Sequence, residues 1–169
     1  SNNKFIFNNV IFKNLSYPKD EDKIIYAGVN IINSNVEIID TQIISSNSNI
    51  KNLKFQNIKS DAIDIDFGNI KFSNIYCENI DNDCLDISGA NVIGNFIKGL
   101  NIKDKGLSFG ENSKGEISNL NFENSRLGVA VKDGSSLKLS KYIFFFFEFD
   151  VEVFKKKNEY EGASLFFSD

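Results

Sequence analysis

The chain has no histidine, one arginine (Arg126), one proline (Pro18) and two cysteines in 169 residues. Without histidine it lacks the commonest general base and the commonest transition-metal ligand. Zinc hydrolases, Ser-His-Asp hydrolases and Cys-His proteases are thereby excluded within this sequence. The net charge is −4, with acids and bases interspersed. That gives no basic face of the kind a nucleic-acid binder carries, so no nucleic-acid partner is expected. Cys77 and Cys84 are too few for a metal quartet or a disulfide framework, and are expected to be two packed thiols. No apolar run approaches bilayer length, so no membrane span is expected. Ser1-Asn2-Asn3-Lys4 opens straight into strand-like sequence with no secretory pattern, as a mature or excised fragment would.

What the sequence does have is a repeat. Asp61-Ala-Ile-Asp-Ile-Asp66 aligns with Asp83-Cys-Leu-Asp-Ile-Ser88, Lys105-Gly-Leu-Ser-Phe-Gly110, Leu127-Gly-Val-Ala-Val-Lys132 and Phe149-Asp-Val-Glu-Val-Phe154, each start 22 residues after the last. The third and fifth residues of every block are apolar. Alternation at period two marks a strand with those side chains facing inward. Turn residues follow the first four blocks (Gly68-Asn69, Gly89-Ala90-Asn91, Asn112-Ser113, Gly134-Ser135). A second strand then carries Ile70, Phe72, Ile75 and Cys77, or Ile117, Leu120 and Phe122, with Asn79 and Asn124 at the matching bend. Helical repeats need apolar residues three and four apart, and leucine-rich repeats need several leucines per unit; neither pattern is present. The expected fold is therefore all-β: a right-handed parallel β-helix, a solenoid with coils of about 22 residues.

Residues 1–169 read as one β-helix domain, irregular over 1–60 and regular over 61–154. Gly28-Val29-Asn30-Ile31 matches Ala62-Ile63-Asp64-Ile65 at an offset of 34, which is 22 plus 12. Residues 49–60 resemble only the second half of a coil, with Leu53 and Phe55 matching Ile75 and Cys77. Such a half-coil would leave its neighbours unpaired on one face. Asn9, Val10, Phe12, Asn14 and Leu15 match Asn69 to Ile75 at an offset of 60, and Pro18-Lys-Asp-Glu-Asp22 reads as a projecting loop. Neither end carries the polar cap that terminal repeats normally have, so the chain is expected to belong to a larger protein or to pack end to end or against another domain.

The runs Ser60–Phe67, Asp83–Gly89, Asp104–Glu111 and Gly128–Asp133 resemble the β-helix repeats of the pectate-lyase-like superfamily. More narrowly, together with Val153-Phe-Lys-Lys-Lys-Asn-Glu-Tyr160, they resemble the β-helix segment of bacterial surface proteins that carry a CotH-type kinase domain. The chain has no Gly-rich loop with a partner lysine and no HRD-like or DFG-like motif, so kinase activity does not carry over. The resemblance implies an extracellular or cell-surface location and a polysaccharide partner. It leaves two roles open, because fold alone does not decide function. One is a non-catalytic structural or ligand-presenting module. The other is a lyase, epimerase or glycoside hydrolase acting on acidic glycans.

With Ile63 and Ile65 inward, three columns should face out. They are Ala62/Cys84/Gly106/Gly128/Asp150, Asp64/Asp86/Ser108/Ala130/Glu152 and Asp66/Ser88/Gly110/Lys132/Phe154. Mostly small residues would make a shallow groove, with Asp66, Ser88, Ser108 and Lys105 as ligand contacts. Asp64 and Asp86 would be neighbours on adjacent coils. Two carboxylates about 5 Å apart repel by roughly 1 kcal/mol in water and about 3 kcal/mol at an effective dielectric of 20. A calcium ion held by Asp64, Asp66 and Asp86 would offset that repulsion. So would a shared proton, which makes Asp64, Asp86 and Lys132 the catalytic candidates, or a solvated ladder relieved by Lys105 and Lys132. Lyases of the superfamily use calcium with a lysine or arginine base, which adds Arg126. Asp61 and Asp83 suit caps of backbone amides. Phe144 to Phe147 should send two rings inward and two outward.

Overall fold

The computed structural model describes residues 48–168, together with four short strands, β1 (Lys4–Phe5), β2 (Ile11–Lys13), β3 (Asn30–Ile32) and β4 (Asn35–Val36). β5 (Ser48–Ile58), β6 (Ile63–Ile80), β7 (Leu85–Gly110), β8 (Lys114–Lys132), β9 (Ser136–Phe154) and β10 (Ser164–Ser168) follow. Every strand pairing among the described residues is parallel, and the order β10-β9-β8-β7-β6-β5 runs in sequence before reaching β2. The described residues include no helix. The chain is a parallel β-solenoid whose coils are 22 residues apart. The spacing is visible in the register, where Ile63 faces Leu85 and Leu107 faces Val129, which faces Val151. Ile63, Leu85, Leu107 and Val129 are fully buried, and Val151 packs against the same core.

Two corners of each coil are made by single left-handed residues. Asn57, Asn79, Asn101 and Asn124 share one corner with φ between 55° and 57°, and Asn74, Phe96, Asn119 and Lys141 share another with φ between 52° and 58°. Asparagine tolerates this region because its short amide bonds locally. Here the amides also bond from coil to coil. Asn79 donates to Asn57 at 3.0 Å, Asn101 to Asn79 at 2.9 Å and Asn124 to Asn101 at 2.6 Å. At each of these corners the spacing of inward residues lengthens from two to three, as in Phe72-x-x-Ile75 and Cys77-x-x-Ile80, all buried. One extra residue in the turn before β8 moves the pairing of Asn91 to Lys114, and a bulge between Ile102 and Lys105 restores the 22-residue spacing.

The half-coil has a simple resolution. β5 pairs with the second half of β6 (Ser48 with Ile70, Leu53 with Ile75, Phe55 with Cys77), while β3 pairs with its first half (Asn30 with Asp64, Ile31 with Ile65). The coil is whole. It is split by an insertion that includes β4, and the offset of 34 counts the twelve extra residues. Phe12 pairs with Phe55, the strand position of Cys77. The offset of 60 had matched Phe12 to Phe72, so the first turn is five positions out of that alignment. Pro18–Asp22 and Asn9, Val10, Asn14 and Leu15 lie outside the described residues.

Cys77 and Cys84 form a disulfide, not two packed thiols. Cys77 points inward from one strand run and Cys84 from the corner that follows. One coil on, Gly99 and Gly106 take those places, and a Cβ on either would come within 2.6 Å of the Phe122 ring. Phe122, from the coil above, fills the volume the glycines leave. This corrects the first of the three outward columns. Ala62, Cys84, Gly106 and Gly128 line a buried corner of the core, not a groove.

The last coil differs from those beneath it. β10 pairs only with Ser136–Ser140. Among the described residues nothing pairs with the outer edge of β9 beyond Ser140, and Val153, expected inside, is exposed. Phe144 packs against the core while Phe145 is exposed, in line with alternation; the side chains of Phe146 and Phe147 lie outside the description.

Candidate functional site

On the outer side of the first strand run, Asp64 and Asp86 are register neighbours, as are Asp66 and Ser88. The face is more closed than small residues alone would suggest. Ser108 and Ala130 are fully buried, and Ser88 and Lys132 nearly so. Lys132 lies across Gly110, where a Cβ would come within 2.7 Å of its Cε, and its Nζ stands 3.8 Å from Asp86 Oδ1. Asp64, Asp86 and Lys132 are thus brought together. Burial first, and then Asp66, Asp86, Asp61 and Glu111, push the Asp64 carboxyl up to about 7. Burial, Glu111 and Asp86 raise Asp66 as well, against the pull of Lys157, which pairs with Glu111.

Lys105 and Arg126 serve other carboxylates. Lys105 Nζ bonds Asp83 Oδ1 at 3.2 Å and also reaches Asp104, while Arg126 Nε bonds Asp104 Oδ1 at 2.7 Å. Burial raises Asp104, but the hydrogen bonds from Lys105 and Arg126 outweigh it and hold the carboxyl below its ordinary value. Lys105 therefore does not relieve the Asp64/Asp86 repulsion, and Arg126 stands on Asp104, away from that pair. Asp61 and Asp83 do cap backbone amides, but across coils. Asp61 Oδ1 accepts from the Asp83 N–H at 2.8 Å, and Asp83 Oδ1 from the Lys105 N–H at 3.0 Å. Burial lifts Asp61 to about 6, and burial likewise lifts Asp83 against the pull of Lys105.

Among the described residues no three histidine, cysteine, aspartate or glutamate side chains are arranged to hold a metal ion. Asp64, Asp66 and Asp86 stand in a ladder without converging, and the cation that reaches Asp86 is the Lys132 ammonium. The calcium expectation thus has no ligand set behind it here. No helix of the described residues is long and apolar enough to cross a membrane.

A groove that the sequence did not signal lies on the next strand run. It has a volume of ≈ 950 Å³ and crosses successive coils, lined by Asn69, Lys71, Asn91, Lys114, Lys138 and Phe166 among others. Lys71 pairs in register with Ile93, Ile93 with Glu116, Glu116 with Lys138, and Lys138 with Phe166. These side chains form one ladder along the solenoid axis. Four strand steps at about 4.8 Å give a track of roughly 19 Å. Lys138 is 3.9 Å from Glu116, which leaves Lys71 and Lys114 as the groove lysines with no ion pair among the described residues. Asn91 donates to Asn69 at 3.0 Å and fixes the amide edge of the track. No protein-family model, curated protein or solved structure matches this chain.

Proposed function

We propose that the chain is a non-catalytic extracellular β-solenoid module that holds an extended anionic polysaccharide along this groove. The observation that carries the reading is the groove itself. It is open and several coils long, with Lys71 and Lys114 on its wall and the exposed ring of Phe166 at its end. The Cys77–Cys84 bond supports a location outside the reducing cytosol. The resemblance of the aspartate-bearing runs to pectate-lyase-like repeats, and to the β-helix segment of CotH-type surface proteins, supports the same compartment and ligand class. The test is a panel of acidic and neutral glycans, read by binding with and without calcium. Acidic chains should bind the parent, and Lys71→Glu with Lys114→Glu should abolish the binding. Retention by that double variant would contradict the reading.

One observation favours cleavage as a second reading. Asp64 holds its proton to about pH 7 beside Asp86, whose nearest cation is Lys132. A proton-holding acid next to a paired carboxylate is the division of labour that glycan cleavage uses. In that case Asp86→Asn would end cleavage of acidic glycans while leaving binding in the groove intact. No cleavage by the parent would leave the binding reading alone.

A further inference from the structure

Among the described ion pairs, Lys132–Asp86 is buried as the pairs of Lys105 are, but Lys105 hydrogen-bonds its carboxylates and Lys132 does not. Lys103 and Asp81 meet at 2.8 Å with the lysine side chain 69% exposed, an ordinary solvated contact. Lys132 is only 11% exposed in its side chain, and it is aimed by packing. Its methylenes run over Gly110, so the amine reaches past one coil to Asp86 on the coil beyond. Among the described residues, Asp86 Oδ1 is buried and has no hydrogen-bond partner, and neither does Ser108 Oγ, fully buried one repeat after Asp86. Leu107 and Phe109 face the core, so Ser108 points to the same outer side as Asp86. Asp64 is the register neighbour of Asp86, and burial and its acidic neighbours push its carboxyl up to about 7. An amine, a carboxyl without a hydrogen bond at the facing oxygen, an unpartnered hydroxyl and a proton-bearing acid are therefore gathered in one partly dehydrated place.

We propose that Lys132 and Asp86 condense into an intramolecular isopeptide bond, with Asp64 as the proton-transferring carboxyl. A proton passes from the Lys132 ammonium to the Asp86 carboxylate, Nζ then attacks the Asp86 Cγ, and a C–N bond forms. Asp64 passes its proton to the departing Asp86 oxygen, the C–O bond breaks, and water leaves. Asp64 then takes up the proton that the nitrogen sheds. One amine and one carboxylic acid give one amide and one water, and no oxidant or other reactant is required. The Ser108 hydroxyl supplies a donor for the amide oxygen that remains. The bond joins two coils across a third and does not depend on what the groove holds.

The test is the intact mass of the purified 169-residue chain. Allowing for the two hydrogens lost to the disulfide, the parent should be lighter than its sequence by one water. A digest should give a branched peptide joining the segments that carry Asp86 and Lys132. Lys132→Arg keeps the charge and most of the methylene packing, so a folded Lys132→Arg protein should show the full mass, as should Asp86→Ala. Asp64→Ala should slow or stop the water loss, and condensation at the parental rate would remove Asp64 from the mechanism. A parent with full mass and linear peptides would mean an ion pair only and would overturn the proposal, as would water loss that persists in Lys132→Arg.

Discussion

Ile65, Ile87, Phe109 and Val131 fill one column and are at most 2% exposed, whereas Val153, next in the column, is 46% exposed. Val131 and Val153 are the same residue at the same point of the repeat. The difference lies in the following coil. β9 covers Val131, while β10 covers only the Ser136–Ser140 end of β9. Burial in a solenoid is conferred by the neighbour and not by the residue. The same edge exposes Tyr142, Ile143, Phe145 and Phe149, and β10 exposes Phe166 and Phe167. So much apolar surface beside an unpaired strand edge invites strand-to-strand association. The expectation of end-to-end or domain packing therefore remains, as a proposal.

The largest effect should separate the middle of the stack from its end. Leu107→Ala should cost about 2–5 kcal/mol in denaturant unfolding, because a layer held from both sides cannot collapse into the cavity. Val151→Ala, one layer from open solvent, should cost less than about 1 kcal/mol, since less contact is lost. Equal costs would break the comparison. Next in size is the corner disulfide. Replacing both Cys77 and Cys84 by alanine should cost about 2–3 kcal/mol. The loss should be measurable as a lower melting temperature that added reductant does not lower further.

The corners offer a finer contrast. Asn79 both donates and accepts in the asparagine ladder, so Asn79→Ala should cost about 1–2 kcal/mol in the same unfolding assay. Phe96 holds φ 58° at the other corner, where its ring lies 5.6 Å from that of Tyr76. Phe96→Asn should relieve the backbone and gain up to about 1 kcal/mol, less whatever the ring pair contributed.

The smallest effect is a pH dependence. Asp61 at about 6 and Asp64 at about 7 lie above their ordinary 3.8, so the folded chain binds more protons than the unfolded chain between those limits. The stability these two groups contribute should therefore fall as pH rises from about 4 to about 7, and Asp83, lifted by burial, extends the fall above that. Asp64→Asn should remove about 1 kcal/mol of that slope, a figure discounted for the partial exposure of the carboxyl. A melting temperature that rises over the same interval would contradict the assignment. Asp81 and Asp104 work the other way, held low by Lys103 and Lys59 and, despite burial, by Lys105 and Arg126. Their contribution is lost only as pH drops below the ordinary carboxylate range.

The solenoid was legible because a period-two pattern recurring every 22 residues can be satisfied only by stacked strands. The same logic matches Asn30 to Asp64 and Leu53 to Ile75, which the register pairs. What stayed hidden depended on corners. The seven-residue separation of Cys77 and Cys84 says nothing about bonding until Asn79 turns the chain and sets the two sulfurs on one inner wall. Strict alternation sends Ala62 and Gly106 outward, but it fails at the corner and both are buried. The nearness of Asp64 and Asp86 followed from register alone, but the reach of Lys132 depended on the space over Gly110. The lysine groove lacked a sequence signal because its residues sit at exposed positions that obey no apolar pattern.

Amide hydrogen exchange along the chain tests the central claim most directly, since it reads each coil separately. Amides of β6, β7 and β8 should exchange together and slowly, at the rate of global unfolding. Amides of β9 after Ser140 should exchange faster in the monomer, and should slow where concentration drives end-to-end association. Uniform protection from Ile63 to Phe154 in a dilute monomer would contradict the account, because it would mean that the last coil is covered as fully as those beneath it.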